Sequence, residues 1–314
     1  MEAITTKGWG LNAKLSLAQV KSPHLSDDDV LVEVHAASVN PKDWKLNYHL
    51  SVLLTPVTTK FLPPLFGDDL AGIVVSKGKN VSQFDLGDRV YGMDMRLRTA
   101  SLAEYTSINQ GRITHIPEHL SFQEAACVPL AAQTALQGLR KGGAKAGSSV
   151  LIIGASGGVG TFAVQIAKAL GCQVTAVCST RNIELVKSLG ADEIIDYTLG
   201  DFRASAGTFD LVFDVTSHET AKSCKKLRGD NGYFISTGGN ATAVLGTFFH
   251  RAKHTALIKV ESYKEDLDQI SQWIAASQVK VIIDSIYPLV DSQAAYERSR
   301  SGRSQGKIVI QIKS

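Results

Sequence analysis

The chain has 314 residues, 44% of them hydrophobic and 20% charged, with 33 basic and 30 acidic side chains. That length suggests about two domains and that composition a full buried core, while a net charge of +3 with no block of Lys or Arg argues against a nucleic-acid surface. Four cysteines, Cys127, Cys172, Cys178 and Cys224, lack C-x-x-C spacing, which speaks against a disulfide framework and a zinc knuckle.

The opening residues, Met1-Glu2-Ala3-Ile4, are not a basic segment followed by an apolar one, so no cleaved secretory signal is expected and the default location is cytoplasmic. From Met1 to about His119 short β runs alternate with turn residues, as in Val30–Ala36, Gly72–Ser76 and Asp88–Tyr91. This pattern predicts a compact, barrel-like β domain. Ser121-Phe-Gln-Glu124 fits a capping box, and the apolar stretch to Leu139 reads as one or two helices leading into a second domain.

The next element is the most informative. An apolar strand, Val150–Ile153, runs into Gly154-Ala155-Ser156-Gly157-Gly158-Val159-Gly160, and a helical pattern from Thr161 to Leu170 follows. Strand, glycine turn and helix together form a phosphate cradle. Glycine lets bare N–H groups approach a pyrophosphate, and the helix N-terminus adds partial positive charge. The ligand expected of Ala155, Ser156, Gly157, Gly158 and Val159 is a dinucleotide. Glycines and Lys168 also interrupt this stretch, so no membrane span is predicted.

A second apolar strand, Val174–Cys178, ends about 20 residues beyond the last glycine, where a ribose-binding group belongs. The chain there reads Ser179-Thr180-Arg181-Asn182, with no carboxylate until Glu184. Ser179 and Thr180 offer hydroxyl donors and Arg181 a charged fork suited to a 2′-phosphate, which favours NADPH over NADH. The alternative is that Ser179 and Thr180 cap the helix Asn182–Leu189, with Arg181 solvated.

Further strands at Glu193–Ile195, Phe209–Phe213, Tyr233–Ile235 and Ala256–Val260 alternate with helices, implying a doubly wound parallel sheet. The tail holds a helix, Glu265–Ala276, a strand, Val281–Ile286, a helix, Ser292–Arg300, and a strand, Lys307–Ile312. It is expected to return to the first domain. The division is therefore 1–120 with 265–314, and 121–264, with the dinucleotide in the cleft between them.

Several ordered segments resemble one family. They are Val39-Asn40-Pro41-Lys42-Asp43-Trp44-Lys45, Gly67-Asp68-Asp69-Leu70-Ala71-Gly72, Gly87-Asp88-Arg89-Val90, Ala132-Gln133-Thr134-Ala135, the cradle, Leu189-Gly190-Ala191-Asp192 through Tyr197, and Gly306-Lys307-Ile308-Val309. Over nearly its whole length the chain resembles the zinc-free quinone oxidoreductase branch of the medium-chain dehydrogenase/reductase superfamily, which includes zeta-crystallin-like proteins and plant enone reductases. The fold implied is α/β, a GroES-like β-rich catalytic domain joined to a Rossmann cofactor domain. Where zinc alcohol dehydrogenases carry Cys and then Gly-His-Glu, this chain has Ala37-Ser38 and Gly67-Asp68-Asp69. No metal site is expected, because those positions lack soft and imidazole ligands.

The resemblance implies reduction of a quinone or an α,β-unsaturated carbonyl by NADPH without zinc. The alternative is a catalytically weak NADPH-binding protein on the same fold. By the same resemblance Asn40 and Lys45 lie on the nicotinamide side, with a helix cap at Asn40-Pro41 and a solvated Lys45 as the plain readings. Thr134 approaches the carboxamide or bonds back to its own helix. Gly238 and Gly239 pass beneath the nicotinamide or form a strand-end turn, and Tyr197 packs beside the 2′-phosphate or is a buried strand-end tyrosine. Tyr48, Tyr91 and Phe249 are candidates for the substrate wall, or core. A homodimer joined at exposed sheet edges stays open.

Overall fold

The computed structural model describes residues 1–7, 14–44, 66–95, 101–205, 207–238 and 254–313. Lys45, Tyr48, Gly239 and Phe249 lie outside the described residues. Two compact units emerge: Met1–Leu130 with Glu261–Ser271 and Ile283–Ser314, and Ala131–Val260 with Gln272–Ile282. The crossover is about ten residues later than the capping-box signal suggests. Its physical reason is a tether, since the Leu130 N–H donates to Asp69 Oδ1 at 2.8 Å and holds the chain to the first unit. The tail also differs, because 272–282 stays with the second unit. Gln165 fixes it there, donating to Lys280 O at 3.0 Å and accepting from Lys280 N at 2.7 Å.

In the first unit β1 (Glu2–Lys7) and β2 (Lys14–Gln19) form an antiparallel pair. The main sheet contains β3 (Asp29–Val39), β4 (Asp69–Lys77), β5 (Arg89–Met93), β6 (Tyr105–Asn109), β7 (Ile113–His115), β14 (Ile283–Pro288) and β15 (Lys307–Gln311). Its order is β14-β15-β3-β4-β5-β7. Alternation along β3 buries Val30, Val32 and Val34 on one face, and they pack with Leu70, Val90 and Ile108. One edge of β3 is shared: Asp29–Glu33 pair with β6, and Ala36–Val39 pair with the C-terminal β15. The tail strands thus join this sheet and leave the parallel one unextended.

Helix α1 (Phe122–Ala126) begins with the capping box, Ser121 Oγ accepting from Glu124 N and Glu124 Oε2 accepting from Ser121 N. Next come α2 (Pro129–Lys141), β8 (Ser149–Ile153), α3 (Gly158–Ala169), β9 (Gln173–Cys178), α4 (Ile183–Ser188), β10 (Glu193–Asp196), α5 (Phe202–Ser205), β11 (Phe209–Asp214), β12 (Arg228–Ser236) and β13 (Thr255–Leu257). Helix α6 (Lys264–Ala275) and α7 (Ser292–Arg300) complete the described helices.

The second unit's sheet is wholly parallel, in the order β10-β9-β8-β11-β12-β13. Counting from β8, this is 3-2-1-4-5-6, the doubly wound order in which ligands bind where β8 and β11 diverge. Its inner strands, such as Val150–Ile153, are continuous apolar runs because helices cover both faces. Among the described residues no helix is long and apolar enough to cross a membrane.

Candidate coenzyme and active site

Strand β8 delivers the chain to Gly154, whose φ of +88° is open to glycine at little cost. A Cβ there would also strike the Thr216 side chain. The N–H groups of Gly154 and Ala155 both donate to Val177 O at 3.1 Å, clamping the turn to β9. Ala155 is wholly buried and its N–H is directed to Val177 O, so it holds the turn. Gly157 opens α3 without a capping side chain. The N–H groups of Gly158 and Val159, half-buried, have no acceptor within the helix. Twelve residues of aligned peptide dipole stand behind them. A helix end of this kind can hold an anion such as a pyrophosphate.

Ser179 and Arg181 lie in the turn after β9, a single 3₁₀ turn over Thr180–Asn182. Ser179 makes no side-chain cap bond, so the capping alternative does not hold for its hydroxyl. Arg181 is exposed and Asn182 buried. Asn182 Nδ2 donates to Ser156 Oγ at 2.7 Å, which ties this turn to the cradle and leaves the Ser156 proton to donate elsewhere. Sequence reasoning missed Asn182, although a buried amide in a polar turn needs a partner and was a usable signal.

Tyr197 follows β10, is 54% exposed, and donates its N–H to Cys178 O at 3.1 Å. It is not a buried strand-end tyrosine. The absence of a carboxylate before Glu184 holds along the chain but not in space. Asp196, paired with Cys178 across the parallel strands, accepts from Thr180 Oγ1 at 2.5 Å and from Thr198 Oγ1 at 2.7 Å. The Thr180 proton is directed to Asp196, which corrects the expectation that it faces a phosphate.

At the end of β12, Gly238 has φ +74° with open space where a Cβ would stand, and its carbonyl accepts from Ser217 Oγ at 2.5 Å. Ser217 itself has φ +60°. Beneath it the buried Asp214, at the end of β11, accepts from the N–H groups of Thr216 at 2.9 Å, Ser217 at 3.1 Å and Glu219 at 2.9 Å. The Asp214–Ser217 turn adjoins the cradle, with the Val215 N–H on Ile153 O at 3.2 Å. These residues also escaped sequence reasoning. Thr134 is buried on α2 in the same unit.

In the first unit Asn40 is 2% exposed and sits in a charged knot. Its Oδ1 accepts from Lys307 Nζ at 2.5 Å, and its Nδ2 donates to Asp69 Oδ2 at 2.8 Å. Lys307 also donates to Val39 O and to Asp69 Oδ2, each at 3.3 Å. Asp69 accepts in addition from Ser38 Oγ at 2.6 Å and from the Leu130 N–H. The Asn40 side chain does not cap residues 41–44. Asp43 does the reverse, accepting from Asn40 N at 2.7 Å. One Nδ2 hydrogen of Asn40 has no partner among the described residues.

Two more buried carboxyls crowd beside this knot. Burial, with the neighbouring Asp68, pushes Asp43 well above the usual carboxylate range. Burial likewise raises Asp68 to about 6, against the opposing pull of Lys42 Nζ at 2.7 Å. Zinc requires thiolate, imidazole or open carboxylate donors. Here Asp69 is satisfied by protein donors, Asp68 faces a lysine, and burial pushes the Cys127 thiol up to about 12. Among the described residues no three His, Cys, Asp or Glu side chains converge to hold a metal. Among the described residues these side chains are already engaged by protein partners.

Tyr91, a candidate for the substrate wall, is fully buried in β5 with its hydroxyl 2.7 Å from Ser271 Oγ. It is core, since the α6 hydroxyl satisfies its polar end and no ring surface remains exposed.

The alcohol dehydrogenase GroES-like domain family matches residues 26–135, and the zinc-binding dehydrogenase family matches residues 189–310. The chain is 35% identical to the 2-methylene-furan-3-one reductase of Solanum lycopersicum, over 93% of this chain and 74% of that protein. It is 32% identical to the chloroplast envelope quinone oxidoreductase homolog of Arabidopsis thaliana, over 99% of this chain and 98% of that one. The solved quinone oxidoreductase from Coxiella burnetii superposes with a TM-score of 0.89 at 29% identity, over 100% of this chain and 99% of that one. The chain belongs to the medium-chain dehydrogenase/reductase superfamily, whose members are NAD(P)H-dependent oxidoreductases. Its relatives there bear the names quinone oxidoreductase and 2-methylene-furan-3-one reductase.

Proposed function

We propose that this protein is an NADPH-preferring oxidoreductase that reduces a quinone, or the carbon–carbon double bond of an α,β-unsaturated carbonyl, without a metal. The observation that carries the reading is the uncapped N-terminus of α3, joined through the Asn182–Ser156 hydrogen bond to a turn that presents Ser179 and Arg181. One anchor takes a pyrophosphate and the other a 2′-phosphate. Bound NADPH supplies a hydride. The chain's own residues bind and orient: Ser156, Gly158 and Val159 donate to the pyrophosphate, and Ser179 and Arg181 to the 2′-phosphate. Gly238 and the Asp214–Ser217 turn shape the nicotinamide end. Asn40, its amide fixed by Lys307 and Asp69, keeps one N–H for the carbonyl oxygen on which negative charge develops. Lys45 is assigned to the same side by resemblance. The substrate class suits this set, because a quinone or enone delocalises the added electron pair onto oxygen and needs only hydrogen-bond stabilisation.

The test is NADPH and NADH oxidation by the purified protein across a panel of quinones and 2-alkenals. Preferential NADPH oxidation is expected, and no turnover across the panel overturns the reading. Arg181→Ala should raise the NADPH Michaelis constant by about 10-fold or more, the worth of a charge-assisted hydrogen bond, and barely alter NADH use. An unchanged preference removes Arg181 from the account.

A further inference from the structure

The turn that presents Ser179 and Arg181 rests on a carboxylate. Asp196 ends β10 beside the end of β9, where Cys178 is its register partner. Both its oxygens are used. Oδ2 accepts from Thr180 Oγ1 at 2.5 Å, and Oδ1 accepts from Thr198 N at 2.8 Å and Thr198 Oγ1 at 2.7 Å. The two threonine hydroxyls also lie 2.8 Å apart, so the three side chains form one closed cluster. The hydroxyl of Thr180, and then that of Thr198, hold the Asp196 carboxyl below its ordinary range, so it is charged at neutral pH. The arrangement has two effects of the same sign. It directs the Thr180 proton away from any phosphate, and it fixes a negative charge against the residue that precedes Arg181 in the turn.

We propose that Asp196 sets the size of the coenzyme preference, opposing a 2′-phosphate and thereby keeping the site open to coenzymes that lack one. This rests on the coenzyme reading above and deepens it. Arg181 and Ser179 attract the 2′-phosphate, and Asp196 limits what that attraction can achieve. Coulomb's law gives the direction: a carboxylate repels a dianionic phosphate and exerts no such repulsion on a neutral 2′-hydroxyl. The position is solvated, so the effect is moderate and salt must weaken it.

The experiment is calorimetric titration of the whole protein with 2′,5′-ADP and with 5′-ADP, which differ only in the 2′-phosphate, for the wild type, Asp196→Asn and Thr180→Val. Asp196→Asn should bind 2′,5′-ADP about fivefold tighter, with 5′-ADP unchanged, and the gain should shrink as ionic strength rises from about 0.02 to 0.5 M. Thr180→Val leaves the charge in place and should give no gain. Equal shifts for both nucleotides in Asp196→Asn, no shift in either, or an equal gain in Thr180→Val would each overturn the inference. A wild type that binds neither nucleotide overturns the coenzyme reading itself, and is thereby distinct from those outcomes.

Discussion

Replacing Lys307 by Met tests the charged knot most severely. The ammonium is 4% exposed, and its three hydrogens match three acceptors: Val39 O, Asn40 Oδ1 and Asp69 Oδ2. Its separation from Asp69 Oδ2 is 3.3 Å. With an effective dielectric of about 20, that distance corresponds to an attraction of about 5 kcal/mol. Methionine approximates the volume of the stem, so cavity formation adds little. What remains is a carboxylate at 0% exposure with no counter-charge, for which a loss of about 3–5 kcal/mol is expected. Urea denaturation followed by far-UV circular dichroism measures the loss. Hydrogen exchange locates it, with β3, β4 and β15 losing protection while β8, β9 and β11 keep theirs. Adding Asp69→Asn to Lys307→Met should cost less than the sum of the two single changes by about 2–3 kcal/mol. A single-variant loss under about 1 kcal/mol, or strict additivity, would refute the reasoning.

Two glycines of the cradle separate folding from binding. Gly157→Ala should fold with wild-type stability, since its Cβ meets nothing closer than 3.6 Å and φ is −81°, yet bind 2′,5′-ADP more weakly. In Gly160→Ala the Cβ collides with Gly154 O and the Ala155 backbone, so stability itself should fall by about 2 kcal/mol or more, read by thermal melting. Asp68→Asn addresses pH. Because the folded pKa is raised to about 6, the stabilisation this group gives is complete below its unfolded value near 4 and is lost as pH rises through 6, by up to about 3 kcal/mol at pH 7. The variant should show a flatter stability profile between about pH 4 and 6.5, measured in urea, and an unchanged slope would refute the assignment.

The cradle is legible in the sequence because every signal it needs is local: an apolar run of strand length, glycines at a turn, and a helical period beyond. The alternation of strands and helices in the second unit is legible for the same reason. What escapes depends on neighbours brought together by pairing. Asp196 is 16 residues from Thr180 along the chain, and parallel register alone sets them in contact. Lys307 reads as an ordinary charged residue at a strand start, yet it is buried because β15 enters the sheet beside β3. The signal that points there is Asp68-Asp69, two carboxylates at the mouth of an apolar strand, which demand partners wherever the strand is buried. The strands β1, β2, β6 and β7 are short or half-polar segments whose pairing decides their state, so the chain alone does not single them out. The crossover between the two units follows the capped helix at Ser121, because the Leu130 N–H, bonded to Asp69, keeps that helix with the first unit.

The shared edge of β3 has a consequence for the order in which the protein is completed. Residues 36–39 leave the ribosome early, yet the strand that covers their edge lies near the other end of the chain, with 267 residues separating Asn40 from Lys307. The dinucleotide-binding unit has all its described strands available first, whereas its companion must wait, with the 36–39 part of one β3 edge bare and Asp69 without its cation. During synthesis that exposed edge is the place where a chaperone or a stray strand would engage the nascent polypeptide.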